Sequence, residues 1–191
     1  MFEEFKKIGK LAWEQGLFSS HGGNMSIRLG DKIIITRRGA MLGDLKEEDI
    51  IETCIEGIDA HITLASTEIV VHREIYKNTS ALAILHAHPP IATALSMLCN
   101  EIILEDSEGS YILKKVPVVA AKKTVGSKEV AKLLPDYLKE FKVVILKGHG
   151  SFATGMLLEE AFSYTSTLEH SCKILLYKGS FKKGRKKTSV W

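Results

Sequence analysis

The segment ALAILHAHPP, residues 81–90, most constrains how this chain can fold. Its apolar run is short and is not spaced like a helix face, so it predicts a strand buried on both sides. Pro89 and Pro90 lack the backbone N–H donor that sheet pairing uses, so the strand must end before them. The segment therefore places two histidines, His86 and His88, at the rim of a predicted sheet.

Strand and helix signals alternate around this segment. Apolar residues at helical spacing predict a helix over residues 2–15, and alternation from Met25 to Ile35 predicts a β-hairpin turned at Gly30-Asp31. Further strands are predicted at 49–55, 116–120 and 142–150, and further helices at 65–78, 89–98, 126–141 and 157–179, the last stopped by Gly179. Because the hairpin interrupts a pure βαβ order, we predict a mixed sheet covered by helices on both faces.

Composition indicates one globular domain. The chain has 191 residues, of which 45% are hydrophobic and 26% charged, and its net charge of +3 is too small to indicate a nucleic-acid-binding protein. We predict a domain over residues 1–180 and a basic C-terminal tail over 181–191, FKKGRKKTSVW. A solvated terminus is the simpler interpretation of the tail, and binding to RNA or an anionic surface is the alternative.

The remaining composition favours a cytoplasmic protein. The cysteines Cys54, Cys99 and Cys172 are far apart and lie in apolar stretches, so they predict no disulfide framework or Cys-x-x-Cys metal site. The charged N-terminus has no apolar signal core. No apolar run approaches the roughly 18 residues of a membrane span, so we expect no membrane partner.

His86 and His88 are the first candidate metal ligands. Residues two apart in a strand point to the same face, so both imidazoles can converge on one ion. Two histidines hydrogen-bonded at the strand end explain the pair equally well. His149 lies in GHG after the apolar run VVIL, and its glycines allow a sharp turn to the same rim. This third histidine favours a metal site over a hydrogen-bonded pair. Three histidines at strand ends suit a zinc site with an open fourth position.

The other polar candidates are less distinctive. Glu68 follows Ser66 and Thr67 at the start of a predicted helix, where it supplies either a carboxylate for the site or a simple helix cap. His61, His72 and His170 are predicted to lie on surface helices or loops. His21 adjoins a glycine turn, and we do not expect it to bind metal.

Five motifs, in order along nearly the whole chain, resemble the class II aldolase and adducin head-domain family. They are SHGGNMS (20–26), ITRRG (35–39), STE (66–68), HAHP (86–89) and GHG (148–150). Within the family, the pattern is closest to the fuculose 1-phosphate aldolases. The resemblance implies a three-layer α/β/α single domain with a mixed, largely antiparallel central sheet, usually assembled as a homotetramer.

The resemblance also implies the site. Zinc would be held by Glu68, His86, His88 and His149, and Glu68 would double as the proton donor and acceptor. The substrate phosphate would be bound by Gly23, Asn24, Arg38, Gly39, Ser66 and Thr67. The implied reaction is reversible cleavage of a phosphorylated sugar, a ketose 1-phosphate, to dihydroxyacetone phosphate and an aldehyde. The alternatives are a zinc-dependent dehydratase or epimerase of the same family, or a non-catalytic adducin-like binding module.

Two segments depart from the family pattern. The proline and the hydroxyl residue of the ITPTG-like loop are Arg37 and Arg38 here, and an arginine can bind phosphate through two hydrogen bonds. The catalytic tyrosine of the aldolases aligns with Lys122, while Tyr111 lies nearby but out of register. Substrate choice and stereocontrol are therefore where this chain is expected to differ.

Overall fold

The computed structural model describes residues 1–185 and shows a single eight-stranded sheet in that range, in the order β3-β2-β1-β4-β8-β7-β6-β5. The strands are β1 (Asn24–Leu29), β2 (Lys32–Thr36), β3 (Ile50–Cys54), β4 (Ala83–Ala87), β5 (Glu101–Ile103), β6 (Lys115–Val119), β7 (Val143–Leu146) and β8 (Gly150–Gly155). All pairs are antiparallel except β6 with β7. The predicted mixed, largely antiparallel sheet is confirmed.

Helices cover both faces of the sheet. They are α1 (Phe2–Glu14), α2 (Ile69–Asn78), α3 (Pro90–Ser96), α4 (Ser107–Ile112), α5 (Lys128–Leu138) and α6 (Leu158–Arg185). One apolar core lies between the sheet and α1, α3 and α6, and a second lies between the sheet and α2 and α5. The sheet and the two groups of helices that cover its faces form the three predicted layers. Within the described residues, no helix combines the length and hydropathy that a membrane crossing requires.

The last helix continues past the residue that was predicted to stop it. Gly179 is not among the glycines with positive φ, so it stays helical and α6 extends to Arg185. A glycine that ends a helix commonly adopts the left-handed conformation, which Gly179 does not. The basic tail predicted from residue 181 therefore overlaps the end of α6, and its residues 186–191 lie outside the described residues.

His72 was predicted on the surface and is instead wholly buried, so that prediction is wrong. It lies on the inner face of α2, where its Nδ1 is 2.7 Å from the Ser26 hydroxyl of β1. That hydroxyl is also 2.8 Å from the Tyr76 hydroxyl. Burial lowers the pKa of His72 to about 3, so the imidazole is neutral near pH 7.

This burial predicts a pH-dependent stability. Below the ordinary histidine pKa of about 6.5, His72 binds a proton in the unfolded chain but stays neutral in the folded protein. The contribution of neutral His72 to the free energy of unfolding is therefore fully present above pH 6.5 and is lost as the pH falls towards 3. Urea unfolding of metal-free protein should show wild type losing about 2 kcal/mol more than His72→Gln between pH 6.5 and 5.

The exposed loop histidine His61 supplies the control. The His61→Gln variant should retain the pH dependence of wild type. Equal pH dependence in wild type and His72→Gln would show that His72 does not carry this effect.

Candidate metal centre

All five sequence motifs lie at the same end of the strands, which we call one edge of the sheet. Antiparallel pairing brings the end of β4 beside the starts of β1 and β8, with Asn24 opposite His86 and Ser151 opposite Ala87. The ends of β2, β6 and β7 reach the same edge. Segments that are far apart in sequence therefore open onto one region.

Three histidines converge at this edge. The ligand nitrogens of His86, His88 and His149 all lie within 4.8 Å of one another. The Nε2 atoms of His86 and His88 are 3.0 Å apart, and the three ring centroids are separated by 4.8 to 5.1 Å. The structure thus brings together the three histidines that the sequence predicted. We call them the histidine triad.

The tautomer of His86 follows from its surroundings. Its Nδ1–H donates to the Ser151 carbonyl oxygen at 2.9 Å, which leaves the Nε2 lone pair directed at His88. Burial, reinforced by the neighbouring imidazoles, holds the pKa of His86 well below 6.5. Burial also lowers the pKa of His88 to about 4 and lowers that of His149. All three rings are therefore neutral near pH 7, the state in which imidazole binds metal.

The triad fits a divalent metal. Two nitrogens bound at about 2.0–2.1 Å to a tetrahedral zinc lie roughly 3.3 Å apart, close to the His86–His88 separation. Two facing lone pairs this near repel each other unless a proton or a cation lies between them. Three imidazoles also leave coordination positions for another ligand or a substrate.

Close contacts explain the glycines around His88. A Cβ on Gly22 would lie 2.9 Å from His88 Nδ1, and one on Gly150 would lie 2.6 Å from His88 Cδ2. Gly148 has φ +68, the sharp turn predicted before His149. On the other side, the Phe152 ring stacks on His86 with centroids 4.1 Å apart. The sequence did not single out Gly22, which lies within SHGGNMS, or Phe152, which lies two residues after GHG.

Glu68 is buried next to α2, and it is not part of the group whose ligand atoms lie within 4.8 Å. Its Oε1 accepts the Gly126 N–H at 2.9 Å, while Oε2 is buried without a hydrogen-bond partner among the described residues. Burial raises the pKa of Glu68, and the Gly126 donor opposes that rise. Its predicted role as a metal ligand stays a prediction.

The predicted phosphate-binding segments meet around Thr36. The Thr36 hydroxyl accepts the Met25 N–H at 3.2 Å, and its carbonyl accepts the Ser66 N–H at 3.1 Å. Asn24 is buried, and its Oδ1 has no partner in the described part of the chain. Ser66 is buried and accepts the Glu68 N–H at 3.3 Å, whereas Thr67 is exposed.

The two arginines of this region have different environments. Arg37 pairs with Asp49, with Nη2 2.6 Å and Nε 2.9 Å from Oδ1, so its guanidinium is already engaged. The exposed side chain of Arg38 makes no hydrogen bond or ion pair with residues 1–180, the part of the chain whose side chains are described. Gly39 follows with φ +69 and open space around its Cα. Of the two arginines, Arg38 is therefore the one available to an anion.

The structure separates Lys122 from Tyr111. Lys122 follows β6 at the edge that carries the triad. Tyr111 is exposed on α4, and the carbonyl of the next residue, Ile112, accepts a hydrogen bond from Lys142 just before β7. That position is at the opposite edge of the sheet. Within one chain, Tyr111 does not reach the triad.

Comparisons with known proteins agree with this geometry. Residues 3–176 match the family described as Class II Aldolase and Adducin N-terminal domain. An L-fuculose phosphate aldolase of Methanocaldococcus jannaschii is 34% identical over 91% of this chain and 94% of its own. The L-fuculose-1-phosphate aldolase structure from Thermus thermophilus is 38% identical, covers 95% of each chain and has a TM-score of 0.91. A 3-oxo-tetronate 4-phosphate decarboxylase of Haemophilus influenzae is 31% identical over 88% of this chain and 83% of its own.

The triad predicts metal binding that depends on each histidine. His86→Ala and His149→Ala should each lower the bound divalent metal at least about tenfold, because a lost ligand leaves only two of the three imidazoles. Elemental analysis after dialysis against a weak chelator measures this. The exposed His61→Ala variant is the control and should bind as wild type does. Unchanged metal content in both triad variants would contradict the assignment.

Proposed function

Since the chain belongs to the class II aldolase and adducin N-terminal domain family, we propose that it is a zinc-dependent aldolase. Its proposed substrate is a ketose 1-phosphate of the fuculose 1-phosphate kind, cleaved reversibly to dihydroxyacetone phosphate and an aldehyde. The observation that carries the proposal is the histidine triad, which lies at the same end of the strands as the segments that converge around Thr36. Such a triad can hold a divalent ion that polarises substrate oxygens, which is the help that metal-assisted carbon–carbon cleavage uses.

His86, His88 and His149 would hold the zinc ion, and we propose Glu68 as a further ligand. Zinc supplies Lewis-acid polarisation of substrate oxygens, so a Schiff-base lysine is not needed. The protein's own contribution is orientation. Ser151 fixes the tautomer of His86 and Phe152 fixes the plane of its ring, which directs Nε2 into the site.

Glu68 would move the proton at C3 of dihydroxyacetone phosphate. Gly126 holds Oε1, so Oε2 is the oxygen left to accept or return that proton. Burial raises the pKa of Glu68 in the metal-free protein, whereas a nearby zinc ion would favour the charged form, so the carboxylate would be ready to accept the proton. The triad histidines cannot do this while their lone pairs are used as ligands.

The substrate phosphate would lie against Gly23, Asn24, Gly39, Ser66 and Thr67. Backbone N–H groups at the start of α2 and the Ser66 and Thr67 hydroxyls are suitable donors for a phosphate. Asn24 presents a buried amide to the same region. We propose that Arg38 adds a charged donor where the family pattern has a hydroxyl residue.

The assembly and location are also proposals. We expect a homotetramer in the reducing cytoplasm, in keeping with the family pattern and with the free thiols of Cys54, Cys99 and Cys172. The proposal includes no nucleic-acid partner. A dehydratase or an epimerase of the same family would keep the carbon chain whole, whereas the proposed aldolase cuts it.

Replacing Glu68 tests the proton-transfer role. The Glu68→Gln variant keeps an oxygen for the Gly126 N–H but loses basicity, so exchange of the C3 proton of dihydroxyacetone phosphate into deuterated water should fall at least about a hundredfold. No aldehyde is needed in this assay, which isolates the proton step. Metal content should remain high because the triad is intact.

Glu74, which is partly exposed on α2, provides the matched control, and Glu74→Gln should exchange at the wild-type rate. Near-normal exchange in metal-loaded Glu68→Gln would assign the base to another residue.

Asn24 tests the phosphate site. The Asn24→Ala variant should raise the KM for the phosphorylated substrate about tenfold and change kcat less, because its amide contributes to binding more than to the reaction. Steady-state kinetics measure both constants. Asn78→Ala, at the far end of α2, is the control. An unchanged KM in the Asn24 variant would show that this segment does not bind phosphate.

A further inference from the structure

The loop between β6 and α5, residues 120–127, is the source of the hydrogen bond to Glu68. Gly126 N–H donates to Glu68 Oε1, and no other hydrogen-bond donor within the described residues reaches that carboxylate. The position of this single amide therefore determines how the carboxylate is turned. It also leaves the other oxygen, Oε2, without a hydrogen bond in the described part of the chain.

The loop is packed against the segments that carry the site. Gly126 has φ +53, and a Cβ there would lie 2.8 Å from the Thr67 carbonyl oxygen. Two residues earlier, the Thr124 backbone lies near His149. A shift of the loop would thus be transmitted to Glu68 through the Gly126 N–H.

Glu129, in the first turn of α5, holds the other end of this loop. Its carboxylate accepts the Lys122 N–H, 3.1 Å from each oxygen, and the Lys123 N–H at 3.2 Å. These donors lower the pKa of Glu129, so it is ionised near pH 7. The Ser127 hydroxyl adds a bond of 2.6 Å to the Lys123 carbonyl. The loop is therefore closed onto the start of α5.

We propose that Glu129 is a positioning residue for Glu68, acting through the backbone of residues 122–126. This inference rests on the proposed function, in which Glu68 moves the substrate proton. Glu129 touches neither Glu68 nor the triad. It fixes the loop, the loop fixes the Gly126 N–H, and that N–H fixes the carboxylate.

A helix-stabilising role for Glu129 is the alternative that the experiment must separate. A carboxylate in the first turn of a helix is favourable to the helix dipole whatever it contacts. An aspartate at this position keeps that charge but is one methylene shorter, so it does not reach the Lys122 and Lys123 amides. A glutamine keeps the reach and an acceptor oxygen but loses the charge. If Glu129 positions the loop, the Asp variant should therefore be more impaired than the Gln variant. If Glu129 only stabilises the helix, the Gln variant should be the more impaired of the two.

The test compares Glu129→Ala, Glu129→Asp and Glu129→Gln, with Asp136→Ala as the control. Asp136 lies on the same helix, and its described contact is an exposed pair with Lys139. Amide hydrogen exchange at Gly126, followed by NMR, reports on the loop without requiring any activity. The rate of C3 proton exchange in zinc-loaded protein reports on Glu68.

We expect Gly126 amide exchange to be about tenfold faster in the Ala and Asp variants and near wild type in the Gln and Asp136 variants. The C3 exchange rate should fall about tenfold in the same two variants, with zinc content and the KM for dihydroxyacetone phosphate nearly unchanged. Unaltered Gly126 exchange in Glu129→Ala would overturn the proposal. So would an Asp variant that matches wild type while the Gln variant does not.

The same design distinguishes the two proposals. Wild-type protein that is loaded with zinc and does not exchange the C3 proton would refute the proposed function. The Gly126 amide data would still decide whether Glu129 holds the loop.

Discussion

The antiparallel pairing of β4 with β1 on one side and β8 on the other determines where every part of the site lies. This register places Asn24 beside His86 on one flank and Phe152 beside it on the other. Because side chains alternate along a strand, a slip of one residue would turn His86 to the opposite face, towards α1 and α6. The triad, the stacked ring and the buried amide therefore depend on one hydrogen-bond pattern at the centre of the sheet.

Burial at this edge is energetically unfavourable without a ligand. Asn24 Oδ1 and Glu68 Oε2 are buried without a partner among the described residues, and each such atom costs about 1–3 kcal/mol. The triad keeps three desolvated imidazoles neutral and places the Nε2 atoms of His86 and His88 3.0 Å apart. A metal ion and the hydroxyl groups of a sugar-phosphate substrate would supply the positive charge and the hydrogen-bond donors that these acceptor atoms lack.

The sequence predicted the parts of the fold and site that depend on local pattern. The hairpin, the buried strand before the two prolines, and the clustering of His86, His88 and His149 are confirmed by the structure. The parts that it missed depend on distant contacts. His72 is buried because its partner Ser26 lies 46 residues away, and Glu68 is held by Gly126, which lies 58 residues away. Helical spacing alone could not show that this face of α2 packs on β1. The short β5 and α4 were missed because they bury few side chains.

The measurement that tests the account most directly is product identification with wild-type, zinc-loaded protein and a panel of ketose 1-phosphates that includes L-fuculose 1-phosphate. The account predicts that at least one member yields dihydroxyacetone phosphate and an aldehyde in equal amounts, and that removing zinc abolishes both. A dehydrated or epimerised sugar phosphate with its carbon chain intact would contradict the proposed cleavage. Failure of the fully zinc-loaded protein to turn over any member of the panel would contradict it as well.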